Sequence, residues 1–164
     1  MLREELTCRL TERILTSVPV QPPTPEPPLI PPDFERHFRQ SPATDPWEPL
    51  YSKRDGDAFV LGFVIADSHC NSRGMLHGGV ISALADNAMG LACAFALGGE
   101  SRLVTAHLSV DFTGIAQVGS WVEVIAKPTR TGRTMSFAAA RVVAGEELVA
   151  QTTAVFRASH QKAP

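Results

Sequence analysis

Apolar residues recur along this chain at two different periods, and each change of period marks a new element. Leu2, Leu6, Leu10 and Ile14 fall at four-residue spacing, which predicts a helix over residues 1–17. Eight prolines follow between Pro19 and Pro32. Proline cannot donate a backbone hydrogen bond, so residues 18–32 are expected as an extended polyproline arm, read as a linker rather than as a ligand for a proline-binding domain. A short helix is expected at Asp33–Gln40, capped by Asp33. Residues 1–50 are thus read as an N-terminal helix and proline-rich arm, and 51–164 as the folded domain.

The pattern becomes regular from residue 57. Ala58–Ala66 reads as a strand. Val80–Leu97 reads as a helix that stops at Gly98-Gly99. Leu103–Thr113 alternates, with Val104, Ala106, Leu108, Val110 and Phe112 expected on one face and Thr105, His107, Ser109 and Asp111 on the other. Val118–Lys127, Thr134–Ala144 and Glu147–Arg157 are three further strands, joined around Thr131-Gly132 and at Gly145-Glu146. The order is one strand, one long helix and four consecutive strands. An antiparallel sheet must cover one face, and the only large apolar element available is that helix. The expected class is α+β, with the sheet wrapped around a largely enclosed central helix.

Composition narrows the functions. The chain has 164 residues and a formal net charge of -2, which argues against a general nucleic-acid binder. Its cysteines are Cys8, Cys70 and Cys93, an odd number without metal-like spacing, so a reducing cytoplasm is the expected setting. The opening residues carry Glu4, Glu5 and Glu12 and do not resemble a secretory signal. The apolar run Val80–Leu97 is interrupted by Ser82, Asp86 and Asn87, so a buried helix is expected there and no membrane span.

Candidate chemistry concentrates between Asn71 and Asp86. Gly74 marks a turn, and Gly78 and Gly79 open the helix. Glycines there let a substrate approach unpaired backbone N–H groups, and the helix dipole adds positive potential. Such N–H groups suit a thioester carbonyl that becomes an oxyanion. Asp86 lies within an apolar helix, where an unpaired charge is costly. A carboxylate drawn out of water is a stronger base than a free one. His77 and Asp86 are nine residues apart, which on a helix is about 13.5 Å of rise and roughly half a turn. They cannot meet on one substrate atom, so a shared site implies a second subunit. His77 could alternatively be just the residue that enters the helix.

The spaced set Asn71-x-x-Gly74-x-x-His77-Gly78-Gly79, followed by Leu84-x-Asp86, resembles the hotdog-fold acyl-coenzyme A thioesterases of the phenylacetate-pathway type. The resemblance covers roughly residues 55–158. It implies a hotdog fold working as a homodimer, with a dimer of dimers expected, and acyl-coenzyme A as substrate without a cofactor or metal. Asn71 would place the thioester or water, and His77 would support the loop beside it. The Gly78 N–H would polarise the carbonyl, with Gly79 at the same substrate-binding turn. Asp86 would act as general base or nucleophile from the partner subunit, and Thr105 would orient water near it. The resemblance also implies nucleotide contacts near the basic turn of Lys127, Arg130 and Arg133, with the two arginines on the phosphates.

Three other functions compete. A non-hydrolytic acyl-coenzyme A sensor or carrier would keep the pocket but need no carboxylate. A hydratase or dehydratase would use acid/base histidines in settings not matched here. An adaptor would give the proline-rich arm the leading role. His69 and Cys70 precede Asn71, but no complete metal-ligand set follows. The chain also lacks a G-x-S-x-G elbow, which argues against an α/β serine hydrolase.

Overall fold

Alternating small and branched side chains in the C-terminal half produce a sheet with one face made for a helix. In a computed structural model, residues 30–99 and 102–158 are described. The expected helix 1–17, most of the proline-rich arm and Cys8 lie outside the described residues. The elements are β1 (Glu35–Arg36), β2 (Leu50–Asp55), β3 (Ala58–Val64), α1 (Gly78–Ala96), β4 (Leu103–Phe112), β5 (Trp121–Thr131), β6 (Met135–Ala144) and β7 (Glu147–Ala158). They form a seven-stranded sheet in the order β1-β2-β3-β5-β6-β7-β4, with antiparallel pairing throughout.

This is the expected α+β architecture, a curled antiparallel sheet around one long helix. Val122, Val124 and Ala126 of β5, Ala138, Ala140 and Val142 of β6, and Ala150, Ala154 and Phe156 of β7 are buried toward α1. Alanines on this face let the helix lie close, against its own Ala85, Ala88 and Ala92. α1 is long and apolar enough to cross a membrane by length and composition, but it packs against β3, β4, β5, β6 and β7. It ends as expected at two left-handed glycines: Gly99 N–H bonds to Ala94 O and Gly98 N–H to Phe95 O, a Schellman cap.

Three local expectations are corrected. Asp33–Gln40 is not a helix. Asp33 bonds Lys53 Nζ at 2.7 Å instead of capping, and Glu35 and Arg36 pair with Ser52 and Tyr51. Sheet partners distant in sequence override the local helix signal there. The strand β2, Leu50–Asp55, was not expected, because LYSKRD has only short apolar content. It pairs along its length with β3.

The third correction concerns β4. A register shift between Thr105 and His107 leaves Ala106 bulged. Thr105 stands opposite Phe156, while Leu108, Val110 and Phe112 stand opposite Ala154, Thr152 and Ala150. All four of those β7 residues are buried toward the helix. The inward face therefore changes from odd to even positions at the bulge. Val104 and Ala106 leave the apolar face assigned from alternation, and Thr105 leaves the polar one.

Between β1 and β2 the chain forms a strap. Residues 38–49 run from His37, whose N–H bonds Leu50 O, through a 3-10 turn at Asp45–Trp47 and back to β2.

Candidate functional site

The loop before α1 is built by Asn71. Its Oδ1 accepts from Arg73 N (2.9 Å) and Met75 N (3.3 Å), while its backbone exchanges bonds with Met75 and Gly74. Gly74 takes the left-handed conformation this turn needs, at φ 71°. The Asn71 carbonyl is thus engaged in shaping the loop, and its amide nitrogen is the polar end left for a ligand.

His77 is the N-cap of α1. Its Nδ1 accepts from Gly79 N at 2.8 Å, and its carbonyl accepts from Val80 N and Ile81 N. Three first-turn donors are thereby occupied. Gly78 N–H has no partner among the described residues. The phenyl ring of Phe112, from the end of β4, lies over Gly78, so close that a Cβ there would sit 2.9 Å from the ring. Sequence reasoning did not anticipate this neighbour, since nothing local links residues 78 and 112.

Asp86 is half-buried rather than enclosed. Thr105 Oγ1 donates to its Oδ1 at 2.8 Å. The bulge at Ala106 is what turns Thr105 toward the helix. Asp86 and Thr105 open onto a cleft of about 910 Å³ between α1, β4 and the strap. Its apolar lining includes Phe38, Trp47, Leu91, Phe95 and Phe156. Asn87, beside Asp86, lines the same cleft, and its Oδ1 is buried without a partner.

Within one chain the two halves of the expected chemistry stay apart. Gly78 and Asp86 are eight residues apart on α1, about 12 Å along its axis. Thr105 and Asp86 come together; so do His77 and Gly79; the two groups do not. Arg130 and Arg133 are exposed on β5 and on its turn into β6. Pro128, just before them, shares a small hollow with Ala96 at the far end of α1 from Gly78. Lys127, grouped with these arginines by sequence, pairs with Asp57 at 3.0 Å.

His69 is buried and structural. Its Nδ1 accepts from Ala66 N at 3.0 Å, its Nε2 meets Trp47 O at 3.1 Å, and its ring stacks on Phe63. Burial holds its pKa below the usual 6.5. The neutral Nε2–H tautomer fits both bonds. Burial likewise pushes the Cys93 thiol up to about 11. Among the described residues no group of three or more His, Cys, Asp or Glu could hold a metal ion.

Residues 73–151 match the family model described as thioesterase superfamily. The Pseudomonas aeruginosa protein named "Putative esterase PA0474" is 40% identical over 128 residues, covering 77% of this chain and 96% of that one. Among solved structures, a point mutant of the phenylacetic acid degradation protein PaaI from Thermus thermophilus is 26% identical with a TM-score of 0.59, covering 66% of this chain and 91% of that one. A hypothetical thioesterase from Streptococcus pneumoniae, solved with coenzyme A, has the same fold at 21% identity and a TM-score of 0.62, covering 71% of this chain and 94% of that one. The family match starts inside the Asn71 loop and ends within β7, leaving the strap outside it.

Proposed function

The chain belongs to the thioesterase superfamily, on its PaaI-like hotdog side, and from that premise we propose that it hydrolyses acyl-coenzyme A thioesters to a free acid and coenzyme A. The observation that carries the reading is Asp86 on the wall of a cleft lined by both polar and apolar side chains, its Oδ1 accepting from Thr105 Oγ1 at 2.8 Å. Coenzyme A is the thiol that the Asn71–Asp86 motif implies. It is also the molecule with which the S. pneumoniae protein of this fold was solved.

In the proposed reaction, Asp86 takes a proton from water as the water oxygen attacks the thioester carbon. The carbonyl oxygen becomes an oxyanion that accepts from Gly78 N–H, with the helix dipole behind it. The carbon–sulfur bond then breaks, and the departing thiolate takes the proton from Asp86. The separation of Gly78 and Asp86 along α1 supports a composite site, with Gly78 from one subunit and Asp86 from the other, and hence a homodimer with two equivalent sites. Asn71 positions the thioester from the loop, His77 and Gly79 fix the helix start, and Arg130 and Arg133 meet the phosphates of coenzyme A. A dimer of dimers is the assembly proposed for the whole.

The test is thiol release from aryl-, short-, medium- and long-chain acyl-coenzyme A thioesters, with wild type and Asp86→Asn compared side by side. Wild type should release thiol, and the variant should lose about 10²–10⁴-fold in turnover. Binding without release by wild type would make the protein a carrier or sensor and leave Asp86 without its chemical role.

A further inference from the structure

The strap stands outside the family match, yet it builds one wall of the cleft that opens at Asp86. Phe38 presents its ring there, 63% exposed, in edge contacts with Phe59 and Phe95. Trp47 lines the cleft and also packs against the main core. Hydrogen bonds inside the strap are local: Thr44 N and Asp45 N to Ser41 O, Trp47 N to Thr44 O. At its far end Glu48 Oε2 accepts from Arg36 Nη2 of β1 and Leu50 N of β2, and the bond that ties this end to the loop before α1 is His69 Nε2 to Trp47 O, at 3.1 Å.

That same histidine is tied to the loop that carries the helix start. Its backbone carbonyl accepts from His77 N at 2.9 Å, and its Nδ1 accepts from Ala66 N. One residue thus links the strap, through Trp47, to the loop that carries the His77 cap. Stacking on Phe63 removes the ring's freedom to turn away. A cleft of about 910 Å³ is far larger than an acetyl group needs. The wall it gains from the strap matters to an acyl group long or wide enough to reach it.

We propose that the strap is the wall of the acyl subsite and that His69 is the positioning residue which registers this wall against the Asn71–His77 loop, selecting extended apolar acyl groups over short ones. The inference rests on the acyl-coenzyme A reading above and adds what it does not contain, the element that sets the acyl group.

The experiment measures kcat/KM for acetyl-coenzyme A and octanoyl-coenzyme A with wild type, Phe38→Ala, His69→Asn and His69→Gln. Asparagine reproduces the acceptor toward Ala66 but not the donor toward Trp47; glutamine reproduces the donor. The octanoyl-to-acetyl ratio should fall about tenfold in Phe38→Ala and His69→Asn, the scale of one lost aromatic wall contact, and stay within about threefold of wild type in His69→Gln. Equal loss on both substrates in every variant, or equal ratios for Asn and Gln at residue 69, overturns the inference. Because Phe38 is largely exposed, its variant decides the question if His69→Asn does not fold. An unchanged ratio in Phe38→Ala counts against the wall. Wild type that releases no thiol from either substrate overturns the thioesterase reading itself, whereas active wild type with uniform losses overturns this inference alone.

Discussion

Thr105 Oγ1 donates to Asp86 Oδ1 at 2.8 Å, although strict alternation along β4 would turn Thr105 away from the helix. The bond restrains a carboxylate that lines the cleft. Thr105→Ala should therefore lower kcat about tenfold to a hundredfold, the usual scale for a lost hydrogen bond to a charged group, with little change in melting temperature. Thr105→Ser keeps the hydroxyl and should retain most activity. Equal kcat in Thr105→Ala and wild type would remove Thr105 from the site.

A methyl at residue 78 would meet the Phe112 ring at 2.9 Å. Gly78→Ala should cost about 1–3 kcal/mol in urea unfolding and lower kcat/KM by at least about tenfold. Adding Phe112→Ala should restore stability, because the clash is with that ring. It should not restore activity, because the methyl still covers the approach to the N–H.

The proposed composite site has a direct test by mixing. Asp86→Asn and Gly78→Ala chains, each impaired alone, would be unfolded together and refolded. Statistical pairing gives one intact site in each mixed dimer, so about a quarter of wild-type activity should return. No recovery in mixed dimers confirmed by mass would place both groups in one chain.

Gly62 of β3 packs under the indole of Trp121 and the ring of Phe34, in a small cluster on the outer face of the sheet. An added Cβ would overlap Trp121. Gly62→Ala should lower stability by about 1–3 kcal/mol, read from the urea midpoint. Thiol release below the transition should survive, since this cluster lies away from the cleft.

Burial holds both His37 and His69 below the usual 6.5. As pH falls through 6.5 the unfolded chain binds protons on these rings and the folded chain does not. Stability must therefore fall on acidification from about pH 7 and reach its full loss below the folded pKa values. Melting temperatures between about pH 7.5 and 5 should show this slope, and His69→Gln should flatten it. An identical slope in the variant would assign the effect elsewhere.

The long helix and the four strands after it were legible because their side chains alternate or recur over ten residues or more. Boundaries shifted slightly, as with α1 starting at Gly78 instead of Val80. The spaced residues from Asn71 to Asp86 were legible because each has a local job: a turn, a cap, an open helix start. What sequence could not supply were relations between distant segments. Asp33 reads as a cap until Lys53 is placed beside it. A bulge leaves no mark in the alternation of β4, yet it decides whether Thr105 meets solvent or Asp86. The wall formed by Phe38 and Trp47, and the ring of Phe112 over Gly78, likewise exist only after folding.

The His77 cap has one more consequence, for how a reaction ends. With Gly79, Val80 and Ile81 already bonded to His77, the start of α1 offers a single donor among the described residues, at Gly78. A carbonyl oxygen needs only one. A carboxylate has two oxygens and a full charge, and an uncapped helix start would grip it with several N–H groups at once. In the proposed reaction, the capped start gives the newly made acid no firmer hold than the thioester it came from. On that reading, the histidine that shapes the entrance would also ease the departure of the acid.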